Sequence, residues 1–323
     1  MQPIKLRYLL IMCGLIVLAV FPHLIPAYYV VLIARCLVMG IAGLAFTLLF
    51  AHVGLLSFGQ AFFFGLGGYT VALLMRYYNI DSLEILLLAS LAICALGGLG
   101  IGSVCLKRGG IYFSLLTLGF AQLLYSSLFK LWNITGGSDG LPLRMVKILG
   151  IDFIKDFGMT KTSVIIGPYY YLVLASFVIS CMVIWRIVNS PFGLTLRAIR
   201  DDGLRAELIG IDTYRFRLAA FLISGIFTGL AGALWSLLPP FHITPTVAYW
   251  TTSFDIVLLS LIGGYQYFVG PIIGAFVYVF LKQFIGEVAI YWQLVIGVIV
   301  ILIAFTFRSG IAGIIHRMEA LRR

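Results

Sequence analysis

Apolar runs of nearly membrane-spanning length recur along the whole chain, separated by short polar or glycine-rich stretches. They fall at roughly 8–24, 29–51, 58–76, 83–105, 111–132, 168–188, 216–238, 253–265, 270–286 and 289–307. A helix that crosses the hydrocarbon takes about 20 mostly apolar residues. The pattern therefore predicts an all-α polytopic membrane protein of about 10 transmembrane helices, or 8–10 once the short runs are weighed. Runs 253–265 and 270–286 are short for full crossings, and Gly263, Gly264, Gly270 and Pro271 punctuate them. They read as a broken or re-entrant pair, a form tolerated where loose backbone is buried in protein or lines a cavity. The first run follows Lys5 and Arg7 and ends in Phe21-Pro22-His23 without a small-x-small cleavage site. It reads as a retained helix and not as a secretory signal. The whole of 1–323 is expected to form a single transmembrane domain.

Composition narrows the class. Of 323 residues 62% are hydrophobic and 11% charged, with a mean hydropathy of +1.10. Soluble domains carry about 25% charged residues, so a fold this poor in charge needs hydrocarbon against much of its surface. The net charge of +10 raises a nucleic-acid reading, since Lys and Arg neutralise phosphates. Its distribution argues instead for the bias that gathers basic residues on the cytoplasmic side. With the N-terminus inside, Lys5, Arg7, Lys107, Arg108, Arg186, Arg197, Arg200, Arg205, Arg215, Arg217, Arg308, Arg317, Arg322 and Arg323 all fall on the inner face, about 14 of the 22 basic residues. Both termini are then cytoplasmic, with a large outer loop at 133–167 and a large inner loop at 189–215. Tyr28, Tyr29, Tyr77, Tyr78, Tyr249, Trp250, Tyr291 and Trp292 sit at run ends, where amphipathic rings favour the headgroup zone. Cys13, Cys36, Cys94, Cys105 and Cys181 lie in apolar runs as small hydrophobes, and no Cys/His cluster has metal-ligand spacing.

The inner loop reads NSPFGLTLRAIRDDGLRAELIGIDTYR. Pro191 and Gly193 end the preceding helix, and two short helical pieces follow. In the second, Leu204, Leu208 and Ile211 share one face by their spacing, with Arg205, Glu207 and Asp212 off it. Asp201 or Asp202 suits the N-cap, and Gly210 lies near the end. Such a helix either lies flat in the lipid interface or docks its stripe into a partner's groove. Mixed charge favours docking, because interfacial anchors are usually rich in Lys and Arg.

Several motifs in series carry a family resemblance over roughly 30–310. GLLSFGQAFFFGLGGY (Gly54–Tyr69), GGIYFSLLTLGFAQLL (Gly109–Leu124), TGGSDGL (Thr135–Leu141) and GLAGALWS (Gly229–Ser236), together with SPFGLTLRAIRDDGLRAELIGID, resemble permeases of branched-chain amino acid ABC importers. The likeness is best to the M-type of the two paralogous subunits. It implies a bacterial cytoplasmic (inner) membrane location and a coupling role for the inner loop. There Ala206, Glu207 and Gly210 fit the wider family's EAA-like element loosely, with Leu208 replacing its second Ala. Candidate coupling residues are Arg200, Asp201, Asp202, Arg205, Glu207 and Gly210. The chain has no G-x-x-x-x-G-K-[ST], so ATP is expected on a separate ATP-binding cassette subunit and no cofactor in this chain. The remaining expected partners are a paralogous permease subunit and a periplasmic or lipid-anchored substrate-binding protein. Gly136, Gly137 and Asp139 in the outer TGGSDG turn are its candidate docking surface.

Polar residues inside apolar runs are costly and tend to face a bundle interior or a pathway. Ser57, Gln60 and Gln122 are therefore the candidate translocation-path residues, with interhelical hydrogen bonding as the alternative. Arg35 either snorkels toward the outer interface or pairs with Asp255, and Lys282 and Glu287 are expected to stay hydrated near an outer end. An ion-coupled secondary transporter would need ionisable groups near the midplane, of which this chain has few. An intramembrane enzyme would need a constellation such as HExxH or GxSxG, and His23, His52, His242 and His316 are scattered. Within the permease reading the substrate stays open among branched-chain amino acids, other amino acids, urea and short amides.

Overall fold

The computed structural model describes residues 14, 16–107, 109–148, 150–288, 291–306 and 310–313. The start of the first apolar run, Lys5, Arg7, Arg108, Arg308 and the basic tail at Arg317, Arg322 and Arg323 lie outside them. Residues 16–20 are helical and run into a short 3-10 turn, Phe21–His23, with Pro22 at its start.

The long helices are α1 (Ala27–Val53), α2 (Gln60–Tyr78), α3 (Leu83–Cys105), α4 (Ile111–Lys130) and α5 (Tyr170–Val188). The 189–215 loop forms α6 (Pro191–Asp201) and α7 (Gly203–Leu208), followed by α8 (Thr213–Ser236), α9 (Trp250–Gly263), α10 (Gly270–Val288) and α11 (Trp292–Thr306). Six helices of the described residues are long and apolar enough to cross a membrane: α1, α3, α4, Thr162–Val188 (which contains α5), α8 and α10. α2 has 19 residues but carries Gln60, Gly65, Gly67, Gly68 and Thr70, and it is largely buried in protein. α9, with 14 residues, reaches only about 21 Å against a core of about 30 Å.

α1 is the central post. It is buried along nearly all its length and packs against α5, α8, α9 and α10. Around it, α2 crosses α8 at contact distance because both surfaces there are glycine. A Cβ on Gly67 would stand 2.1 Å from the Gly229 carbonyl oxygen, and one on Gly232 would stand 1.9 Å from that of Phe64. Without a hydrophobic force between helices in lipid, such close packing of small residues is a main source of association.

Two expectations shift. α10 is a full-length helix with 19 residues, so 253–265 and 270–286 form a hairpin of one short and one full limb. The buried loose backbone lies elsewhere, at 54–59 between α1 and α2. There the chain doubles back into the bundle. Gln60 bonds Ser224, whose hydroxyl donates to the Ala45 carbonyl, about two turns before α1 ends. Serines satisfy the freed backbone groups, as burial demands. The Ser253 hydroxyl donates to Phe58 O (2.6 Å) and accepts from the Ala61 N–H (2.8 Å). Ser114 donates to Leu56 O at 2.5 Å, and Ser57 Oγ accepts from the Gly59 N–H at 3.2 Å.

At the end of the bundle away from α6 and α7, one small element departs from all-helix. Strand β1 (Leu141–Pro142) pairs antiparallel with β2 (His242–Ile243), pinning the 133–167 loop to the 237–249 loop.

Candidate functional site

The 189–215 loop is a chain of capped turns. Ser190 caps α6 by accepting from the Gly193 N–H, with Pro191 in the first turn. Asp202, with extended backbone, caps α7 through the Arg205 N–H, and Asp212 caps α8 through the Arg215 N–H. These side chains take up donors that the helix starts leave free. Asp202 is thus the cap of the second helical piece, one of the two candidates. Gly210 sits just past α7 at φ +90°, where a side chain would be strained.

α6 buries Leu196 and Ile199. Arg200 anchors it: Nη1 donates to the Ala51 carbonyl at 2.6 Å, and Nε and Nη2 donate to Asp201 Oδ1 at 3.0 and 2.7 Å. A cation at the carbonyl end of α1 is also favoured by the helix dipole. Asp202 pairs with Arg205 at 2.8 Å, and Glu207 accepts from the Thr213 hydroxyl at 2.5 Å. Of the candidate coupling set, Arg200, Asp201, Asp202, Arg205 and Glu207 are therefore all engaged within the chain, and Arg205, although paired with Asp202, keeps its side chain 84% exposed.

The apolar stripe is not as the spacing foretold. α7 stops at Leu208, so Ile211 leaves the face, where it is half-buried. Ile209 stands in its place: Leu204, Leu208 and Ile209 are 71%, 79% and 76% exposed. No other described residue covers them.

At the opposite end, the glycines of TGGSDG are a folding requirement. Thr135 donates to Leu128 O and Leu131 O (2.5 and 2.9 Å), closing the end of α4. Gly136 has φ +77°, and a Cβ there would lie 2.0 Å from the Gly140 carbonyl oxygen. Gly136 and Gly137 shape this knot, whereas Asp139, accepting from the Ser138 hydroxyl at 3.2 Å, stands exposed. Leu131, Trp132 and Ile134 form an exposed apolar rim beside it.

The candidate path residues separate. Ser57 and Gln60 are buried. Gln60 Nε2 donates to Ser224 Oγ at 3.2 Å and Oε1 accepts from the Thr228 hydroxyl at 2.6 Å, so its amide ties α2 to α8. Gln122 lies on the open side of α4. Its Oε1 has no hydrogen-bond partner, and it lines a groove with Gly119, Leu123, Ser126, Ser127 and Lys130. The sequence reading missed Gly119, Ser126 and Lys130, although their spacing of three and four around Gln122 places them on one face.

The Arg35–Asp255 pair does not form. Arg35 Nη2 donates to the Pro239 carbonyl at 2.8 Å, and its guanidinium lies 5.5 Å from the Trp235 ring centroid. Asp255 instead pairs with Lys282 at 2.6 Å and accepts from the Tyr278 hydroxyl. Lys282, expected to stay hydrated, is thus bound between α9 and α10. Glu287 accepts from the Tyr28 hydroxyl at 2.7 Å, joining α10 to α1 at their shared end.

The family model described as branched-chain amino acid transport system / permease component matches residues 28–304. The high-affinity branched-chain amino acid transport system permease protein LivM of Salmonella typhimurium is 28% identical over 317 residues, covering 94% of this chain and 74% of its own. LivM of Escherichia coli matches at the same identity and coverage. The ribose import permease RbsC of Haemophilus influenzae is 26% identical over 207 residues, 61% of this chain and 62% of its own. No solved structure matches the chain.

Proposed function

The chain belongs to the branched-chain amino acid transport permease family, and from that premise we propose that it is the translocating subunit of an ABC importer for branched-chain amino acids. The α6–α7 end faces the cytoplasm and the 133–167 end the periplasm of a bacterial inner membrane. ATP hydrolysis takes place on a separate subunit. That subunit receives Leu204, Leu208 and Ile209 in an apolar groove, with Arg205 at the rim. A helix with one unsatisfied apolar face beside charged residues suits this mode of docking. The observation that carries the reading is this uncovered stripe on an inner loop that α6 and Arg200 hold rigidly to α1.

A paralogous permease subunit covers the open side of α4. A substrate-binding protein meets the periplasmic end around Asp139 and its apolar rim. The identity to the LivM proteins supports amino acid selectivity; permeases named for ribose and guanosine are also relatives, by shorter or weaker matches.

Co-purification and reconstitution test this reading. Expression with its operon neighbours should recover an ATPase subunit and a second permease. In proteoliposomes, leucine-loaded binding protein should stimulate ATP hydrolysis and leucine entry. Leucine entry driven by a proton gradient without ATP would instead support a secondary transporter.

A further inference from the structure

The outward faces of the spanning helices differ in kind. α3 exposes Ile85, Leu88, Leu96 and Leu99, as a lipid-facing helix should. α4 exposes Tyr112 and Leu115 toward the α6–α7 end, and in its other half the exposed Leu123 and Phe129 flank a row of small and polar residues, Gly119, Gln122, Ser126 and Lys130, with Ser127 beside them. Against hydrocarbon such a row is costly.

Within this groove two groups lack partners of opposite character. Gln122 Oε1 is a buried acceptor without a donor, and an unmet buried acceptor carries a desolvation penalty. Lys130 is exposed at the far end, and among the described residues no Asp or Glu pairs with it. A helical side chain leans toward the N-terminus, so Lys130 leans over Ser126 and Ser127, into the groove.

We propose that Lys130 is a specificity-determining residue that takes the carboxylate of a zwitterionic amino acid at the outer mouth of this groove, and that Gln122 Oε1 accepts from its ammonium group deeper in. The proposal rests on the importer reading above. The two residues are about 12 Å apart along the helix axis, much farther than the two charged groups of an α-amino acid. They therefore act in succession, with the serine hydroxyls bridging the interval. A single unpaired cation rewards a substrate that brings a carboxylate and does nothing for a neutral sugar or nucleoside.

The test uses the assembled complex in proteoliposomes with leucine-loaded binding protein, measuring radiolabelled leucine entry and ATP hydrolysis together. Lys130→Met keeps the aliphatic stem and removes the charge. It should lower leucine moved per ATP about tenfold or more, the scale of one charge-assisted hydrogen bond. Hydrolysis stimulated by binding protein should stay within about twofold, since the α7 face is untouched. Lys130→Arg should restore most of the flux, and Gln122→Leu should lower it without altering hydrolysis. Wild-type leucine entry with an equal ratio in Lys130→Met overturns the proposal alone and reduces Lys130 to a headgroup-level cation. A wild-type complex that imports ribose and not leucine overturns the importer reading for amino acids and this proposal with it.

Discussion

Gln60 and Gln122 are the same side chain on adjacent helices of one bundle, and they do opposite things. Gln60 uses both ends of its amide, donating to Ser224 and accepting from Thr228, in a fully buried node between α2 and α8. Gln122 leaves its oxygen unmatched in a groove on the open side of α4. A polar group satisfied inside the chain holds helices together. One left unsatisfied in the wall of an open groove has its hydrogen bond still to make. Apolar groups divide the same way in the 189–215 loop, where Leu196 and Ile199 are buried in α6 while Leu204 and Leu208 on α7 are bare.

The largest effect is expected where the bare apolar face is spoiled. Leu204→Asp with Leu208→Asp should weaken ATPase-subunit capture by roughly 30-fold or more, the scale of losing a hot spot of about 2 kcal/mol. The unfolding temperature of the isolated chain in detergent should hardly move. Retained capture would show that the stripe lies on lipid. Next, Gln60→Leu should destabilise the chain by about 1–3 kcal/mol, because Thr228 loses its acceptor inside the bundle; denaturant or thermal unfolding in detergent measures this. If stability is unchanged, the node is not a tie.

A double-mutant cycle on Asp255 and Lys282 should return a coupling of about 0.5–3 kcal/mol, whereas Asp255 and Arg35 should be additive within about 0.5 kcal/mol. Coupling to Arg35 would revive the pairing that the geometry denies. The smallest effect belongs to Gln122→Leu, which should cost no stability, because it removes a buried acceptor that already lacks a donor. That near-silence in unfolding, set beside a loss of flux, is the sharpest form of the contrast with Gln60.

Much of this was legible before any coordinates. The apolar runs place most of the helices within a few residues, since a spanning segment announces itself by length and composition. A cap at Asp201 or Asp202 follows from local chemistry, because a cap bonds an N–H only two or three residues away; those at Ser190 and Asp212 came with the structure. The extent of α7 was misjudged at Ile211: the left-handed Gly210 ends the helix and moves the stripe to Ile209.

Other features have no local signature. The stretch before Gln60 reads as the entrance to an ordinary span, yet from Leu55 to Gly59 it is loose backbone held inside the bundle and served by Ser253, far away in the chain. Asp255 could have met Arg35 or Lys282 by sequence alone. The packing of α10 against α9 presents Lys282, while Arg35 turns to Pro239 on the connection beyond α8. The sequence by itself determined most of the apolar helices, the uneven distribution of basic residues and the family. These depend on hydropathy and on neighbours a few residues apart. Only the tertiary structure decided which glutamine is a tie and which is free, which charges meet, and which apolar residues stay bare. Each of those depends on what a second helix brings to the contact, and no single segment carries that information.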